Sequence, residues 1–293
     1  MSVKALLRRL GYDVRRLDAD AVLVKRRRRG GVTVRRIGPP DLRTHVVAHR
    51  RTTRQQANAY QNAMGDHLAR EHLQWVIRRL GIDCVLDVGA NSGQFAKSLR
   101  RSGYAGRIVS FEPVASVFAD LRAAAASDPG WRVHQLAAGE EDGEAEINVR
   151  PGTMSSLLPS SDFGRSWAPR LRESTVETIA VRRLDGLFDD ALSGLSNPRV
   201  LVKLDTQGFD LAAFRGLGRR VEDVVALQSE VSCVPIYDGM PTMIEQLETY
   251  QQAGFALSGV FPVSRDQKTL RAIEFDAVMV RSATHPTSPS TVT

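Results

Sequence analysis

Val85-Leu86-Asp87-Val88-Gly89-Ala90-Asn91-Ser92-Gly93 is an apolar run that ends in a carboxylate and breaks into a glycine-punctuated turn. The continuous run from Cys84 to Val88 reads as a strand buried on both faces. Gln94 to Arg101 then reads as a helix stopped by Gly103, Arg107 to Phe111 as a second strand, and Ala115 to Ala126 as an alanine-rich helix. Trp131 to Ala137 makes a third strand. The order strand, helix, strand, helix, strand predicts a parallel, doubly wound sheet with right-handed crossovers.

Working outward, residues 54 to 80 read as a helix ahead of that first strand. Met64, Leu68, His72, Trp75, Ile77 and Leu80 lie on or near one apolar stripe, and Gly81 is the stop. Downstream the winding breaks between about residues 139 and 198. There Glu144 to Val149 alternates like an exposed strand, and the rest is rich in Ser, Pro, Gly and Arg. Winding resumes with the buried strand Val200 to Leu204, a helix to Leu217, and the strand Val224 to Val231. A helix from Met243 to Ala253, a strand from Phe255 to Val260 and a last strand from Glu274 to Val280 complete it. No internal repeat is visible. The tail from Ser282, rich in Ser, Thr and Pro, is expected to be disordered.

Glu112 follows Gly93 by nineteen residues and ends the second strand. In an open α/β sheet this places a glycine turn and a carboxylate at adjacent carboxyl ends of strands, where ligands bind. Such a carboxylate can accept hydrogen bonds from two ribose hydroxyls. A dinucleotide site needs G-x-G-x-x-G so that backbone can approach a pyrophosphate, and here the three positions are Gly89, Asn91 and Gln94. With two of the three glycines missing, S-adenosylmethionine (SAM) fits better than NAD. The remaining reading is a tight strand-to-helix turn without a ligand.

Four stretches together resemble the FkbM family of class I SAM-dependent methyltransferases. They are Asp87 to Phe95 (DVGANSGQF), Phe111-Glu112-Pro113, Val202 to Asp210 (VKLDTQGFD), and Glu274 to Arg281 (EFDAVMVR). The match covers roughly residues 65 to 281 and departs at Phe209-Asp210, where the family has Ala-Glu. The resemblance implies a Rossmann-like fold, a mostly parallel seven-stranded sheet with helices on both faces. It implies SAM as cofactor, held by Asp87, Gly89, Ala90, Asn91, Gly93, Glu112 and Ala137. The implied activity is O-methylation of a hydroxyl on a sugar, polyketide or glycolipid. The domains would be a basic extension over 1–54, a methyltransferase domain over 55–281 with 139–198 as an insertion or lid, and a tail over 282–293.

Methyl transfer to an alcohol needs alignment of oxygen with methyl, and a base or metal to take the proton. Asp205, at the end of the fourth sheet strand and sharing a strand face with Lys203, is the first candidate base; the alternative is a structural Lys203–Asp205 pair beneath the site. Glu230 ends the next strand and could join Asp205 as a second acid or a metal ligand. Two such carboxylates would suit Mg²⁺, though nothing else in the sequence supports a metal. His72 is the alternative base. In the Arg150 to Ser174 loop, Ser155 and Ser156 could offer hydroxyls to a sugar. Tyr237 and Met240 could wall the acceptor pocket.

The sequence carries 40 Lys or Arg against 33 Asp or Glu, a net charge of +7. Residues 1 to 54 account for +12 of this and the remainder for −5, so a basic arm precedes a mildly acidic body. The arm contains Lys25-Arg26-Arg27-Arg28-Arg29. It could meet nucleic acid, an anionic membrane surface or a phosphorylated substrate, or be a solvated segment. With Tyr12 and Tyr60 the only aromatics before Trp75, nucleic acid is the weaker partner. Leu6, Leu7, Leu10, Val14 and Leu17 are spaced for a short amphipathic helix over the first eighteen residues.

Cys84 and Cys233, both in apolar runs, exclude a disulfide framework or C-x-x-C pair. No apolar run is long enough to span a bilayer, and the N-terminus lacks the apolar core of an export signal. A cytoplasmic enzyme, peripheral to a membrane through its arm, is the expectation. Its acceptor would be a small-molecule or lipid-linked glycoside. Arg outnumbers Lys 35 to 5, as in a G+C-rich genome where such glycolipids are common. The rivals are an RNA methyltransferase using the arm for phosphates and a non-catalytic SAM-binding protein.

Overall fold

The computed structural model describes residues 3–17, 21–26, 32–37, 44–49 and 54–282. The chain divides into two compact units, residues 1–61 and 62–293.

In the first unit, α1 (Val3–Arg9) is followed by two antiparallel hairpins. They are β1 (Tyr12–Arg16) with β2 (Val22–Arg26), and β3 (Val32–Ile37) with β4 (Thr44–His49). The amphipathic helix expected over the first eighteen residues therefore ends at Arg9. Gly11, at φ +84°, takes the left-handed conformation that terminates helices, and Val14 becomes a buried strand residue. Lys25 and Arg26 lie on β2, while Arg27 to Arg29 fall outside the described residues, as does the tail from residue 283.

The second unit is built on a seven-stranded sheet. Its strands are β5 (Cys84–Val88), β6 (Arg107–Phe111), β7 (Trp131–His134), β11 (Val200–Leu204), β12 (Val224–Ser232), β13 (Phe255–Arg265) and β14 (Ala272–Arg281). Their spatial order is β7-β6-β5-β11-β12-β14-β13. From β7 to β12 the pairs are parallel, and β14 runs antiparallel to both its neighbours. The order reverses between β5 and β11, which opens a crevice at the carboxyl ends of these central strands.

The continuous apolar runs of β5 and β11 follow from burial on both faces, every residue of either strand being buried. Cys84, Leu86 and Val88 point into a core shared with α6 (Leu184–Leu192), α7 (Asp210–Arg215) and α8 (Met243–Gln252). Val85 and Leu201 point into the opposite core, against α2 (Arg54–Leu80), α3 (Gln94–Arg101) and α4 (Ala115–Ala125).

Two sequence expectations are corrected here. The buried face of α2 runs through Ala69, Leu73, Val76 and Ile77, whereas Leu68 and Trp75 are each 55% exposed. Small residues mark the packed side, because a Cβ on Gly65 would lie 3.0 Å from the Pro262 carbonyl oxygen. The break at 139–198 is likewise not irregular. The third strand stops at His134, and β8 (Ala137–Ala138) starts a separate sheet of order β8-β10-β9. Its other strands are β9 (Gly143–Val149) and β10 (Thr175–Arg182), joined through the short α5 (Asp162–Trp167). The alternation in β10 gains meaning only from its pairing with β9, some thirty residues earlier.

Candidate active site

The turn after β5 is shaped by close backbone packing. Gly89 sits at φ +77°, and a Cβ there would lie 2.0 Å from the Asp205 carbonyl oxygen; one on Gly93 would lie 2.6 Å from the Trp131 ring. Both glycines are therefore required by the chain's own approach to β11 and β7. Asn91 takes the left-handed region at φ +49°, and its Oδ1 accepts from the Ser92 amide at 2.8 Å and Gln94 Nε2 at 2.9 Å.

Beneath the turn lies a buried charge cluster. Lys203 Nζ forms ion pairs with Asp87 Oδ1 at 3.3 Å and Asp205 Oδ2 at 3.1 Å, and donates to the Gly89 carbonyl oxygen at 3.3 Å. Burial alone would lower the Lys203 pKa, but Asp205 and Asp87 outweigh it and hold the ammonium above its ordinary value. Asp87 also accepts from Ser110 Oγ at 3.1 Å, and Ser110 in turn accepts from the Trp131 indole at 2.9 Å.

Above this cluster a cavity of about 380 Å³ runs along the carboxyl edge of the sheet. One end is lined by Gly89, Ala90, Asn91 and Glu112, with Val117, Leu136 and Ala137 as an apolar wall. Glu112 is only 6% exposed; its Oε2 accepts from the Asn91 amide at 3.0 Å and its Oε1 from the Val114 amide at 2.9 Å. Burial pushes its pKa up to about 7, against the opposing effect of those two amides. Each oxygen keeps a lone pair for a ligand hydroxyl.

The other end is lined by Lys203, Asp205, Gln207, Gln228, Glu230 and Asp276. Asp205 is 38% exposed in its side chain and so reaches a ligand while tied to Lys203. Gln207, in the left-handed region at φ +55°, donates from Nε2 to Asp205 Oδ1 at 3.3 Å and to Glu230 Oε2 at 3.0 Å. Its Oε1 accepts from the Tyr237 hydroxyl at 2.8 Å. Gln207, Gln228 and Asp276 gained no role from the sequence; the one signal was that Gln207 and Asp276 fall inside the VKLDTQGFD and EFD stretches.

Of the residues singled out from the sequence, the cavity brings together Gly89, Ala90, Asn91, Glu112, Ala137, Ser155, Asp205 and Glu230. Asp87 and Gly93 lie beneath it, as described. Ser156 is buried, donating to the Gln207 carbonyl oxygen at 2.7 Å. Tyr237 is buried as well. Together with Trp167 and Met240 it packs a small core under the 150–174 segment rather than walling the acceptor pocket. His72 does not reach the cavity, because its Nε2 lies 2.9 Å from Ser258 Oγ and its ring packs on Phe261. Among the described residues, no three His, Cys, Asp or Glu side chains converge as a metal site would require.

A reversed last strand on an otherwise parallel sheet, with a glycine turn and carboxylate flanking the crevice, is the Rossmann-like class I methyltransferase fold. The methyltransferase FkbM domain matches residues 87–256, more than half of the chain, and the chain belongs to that family. No curated protein matches it. Among solved structures it is similar to fibrillarin from Aeropyrum pernix with natively bound SAM, at 13% identity and a TM-score of 0.38. That match covers 68% of this chain and 66% of that one, just under two thirds of the fibrillarin. It is also similar to the O-methyltransferase NcsB1 of neocarzinostatin biosynthesis, at 11% identity, 78% and 59% coverage and a TM-score of 0.37. WbdD is similar at 16% identity, 75% and 40% coverage and a TM-score of 0.42.

Proposed function

We propose that the protein transfers a methyl group from SAM to a hydroxyl of a sugar, on a glycolipid or another secondary metabolite. The observation that carries this reading is a single cavity with Glu112 at one end and the partly exposed Asp205 carboxylate at the other. The donor set fits the cofactor. Glu112 would accept the two ribose hydroxyls, Asn91 and the Gly89-Ala90 turn would flank the amino-acid portion, and Val117, Leu136 and Ala137 would pack the adenine. SAM, when bound, supplies a methyl carried on a sulfonium.

The chain's own part is positioning and proton transfer. Asp205, held by Lys203 and Gln207, accepts the proton of the attacking hydroxyl as the oxygen–methyl bond forms and the sulfur–methyl bond breaks. A cavity of about 380 Å³ suits a glycoside-sized acceptor better than a duplex or an RNA helix. No helix among the described residues is long and apolar enough to cross a membrane. The basic arm is proposed to hold a cytoplasmic enzyme near an anionic membrane or a lipid-linked acceptor.

The test is incubation of the purified protein with methyl-labelled SAM and a glycoside panel, with products located by mass spectrometry and NMR. A methyl ether on a sugar supports the reading. Cofactor binding without transfer to any hydroxyl overturns it in favour of a sensor.

Cofactor affinity should also depend on pH. A ribose hydroxyl donates to the ionised Glu112, whose pKa is about 7 in the free protein. Binding is therefore full above that value and weakens as pH falls through it, by at most about tenfold per unit, with a proton released on binding below pH 7. Calorimetry with S-adenosylhomocysteine at pH 6 in two buffers of different ionisation enthalpy should detect that proton; equal heats would contradict it.

A further inference from the structure

The acceptor end of the cavity has an unbalanced hydrogen-bonding character. Glu230 and Asp276 face each other across the β12–β14 pair, with Gln228 two residues along β12 on the face of Glu230. Asp205 stands just past the end of the neighbouring β11. Lys203, the one cation among the described residues lining this end, is already ion-paired with Asp87 and Asp205 and donates to the Gly89 carbonyl. The Gln207 amide is spent on Asp205 and Glu230. What the cavity meets here is acceptors: the carboxylates of Asp205, of Asp276 and of Glu230, the last also hydrogen-bonded to Glu274, and Gln228 Oε1.

The last of these is an independent sign. Gln228 is 8% exposed and lines the cavity, and its Oε1 has no hydrogen-bond partner, while its side chain also hydrogen-bonds to Asp276. A buried acceptor left without a partner keeps its full desolvation cost, so a donor is expected there in the working complex. Burial, with Asp205 next, raises Asp276 to about 6, and burial with Glu274, Asp205 and Asp276 raises Glu230 well above its ordinary range. After burial, the causes of both shifts are chiefly these neighbouring carboxylates, so this end is crowded with acids even though Lys203 acts against the shift at Asp276. A neutral polyol would satisfy the acceptors but not the charge.

We infer that the acceptor carries a protonated amine, as on an aminodeoxy sugar, which Glu230, Asp276 and Gln228 Oε1 receive while Asp205 serves the neighbouring hydroxyl. This rests on the methyltransferase reading above and names its substrate class. The ammonium supplies three donors and a positive charge, matching the valences left open.

The test uses the full chain saturated with S-adenosylhomocysteine, at pH 7 with EDTA present. The probes are methyl glucosides bearing an amine at C2, C3 or C6, their N-acetyl derivatives, and plain methyl glucoside, with Kd measured by calorimetry. At least one amine should bind about tenfold or more tightly than its N-acetyl form and than methyl glucoside, the scale of a charge-assisted hydrogen bond. Asp276→Asn and Glu230→Gln should each bring that preference toward parity without changing the affinity for S-adenosylhomocysteine. Asp276→Asn removes a carboxylate that burial disfavours, so its melting temperature should not fall.

Neutral glycosides binding as well as the amines, no amine binding, or a preference that survives both substitutions would each overturn the inference. Methylated neutral glycosides would leave the proposed function standing. Failure to bind S-adenosylhomocysteine would remove that function itself.

Discussion

Replacing Glu112 by alanine is expected to weaken S-adenosylhomocysteine binding by about 10²–10⁴-fold, the loss of two hydrogen bonds to a charged acceptor at about 1.5–3 kcal/mol each. The size follows from the site's design. Glu112 is the buried carboxylate of the end proposed to hold the cofactor, and the amides of Asn91 and Val114 hold both of its oxygens. Glu112→Gln separates charge from geometry, since it keeps one acceptor and should lose less. Calorimetry reads both variants, and a thermal melt shows whether the turn has survived. An alanine variant that melts normally and binds as the parent does would remove Glu112 from the cofactor site.

Asp205→Asn should reduce kcat by about 10²–10⁴-fold, the usual contribution of a positioned general base, with cofactor affinity nearly unchanged. The asparagine is nearly isosteric, and Lys203 retains Asp87 and the Gly89 carbonyl as partners. The site therefore keeps its shape while losing its proton acceptor. The measurement is single-turnover methyl transfer to whichever glycoside the panel identifies. Loss of kcat at constant S-adenosylhomocysteine affinity fits a base. Equal loss of both assigns Asp205 to the buried Lys203 network, and unchanged turnover removes it from the chemistry.

The contrast between Asp205 and Asp87 explains how much of the site was legible beforehand. Both are acids close to Lys203 in a strand-end motif; the sequence reading gives Asp87 to the cofactor and Asp205 the role of base, but not which of them the cavity reaches. Strand β5 carries Asp87 inward, where Ser110 and Lys203 receive it, whereas Asp205 stands one residue beyond β11 and opens to the cavity. Tyr237 and Ser156 read as candidate acceptor contacts because hydroxyls suit sugars. Both instead hold Gln207, which in turn holds Asp205 and Glu230. Gln207 drew no attention because a glutamine has no chemistry of its own to advertise.

The amino-acid sequence by itself determined the limits of β5, α3, β6 and β11, the glycine turn, and the carboxylate at the end of β6. These follow from apolar runs and from glycine stops, which act over a few residues whatever the rest of the chain does. The tertiary structure alone decided the small β8-β10-β9 sheet, the side of α2 that is buried, and the placing of Asp205, Gln228, Glu230 and Asp276 along one cavity. Each depends on which distant segment arrives alongside: β9 beside β10, Pro262 against Gly65, and β14 returning antiparallel next to β12. Pairing across tens of residues is set by the packing of the whole sheet, and no local pattern encodes it.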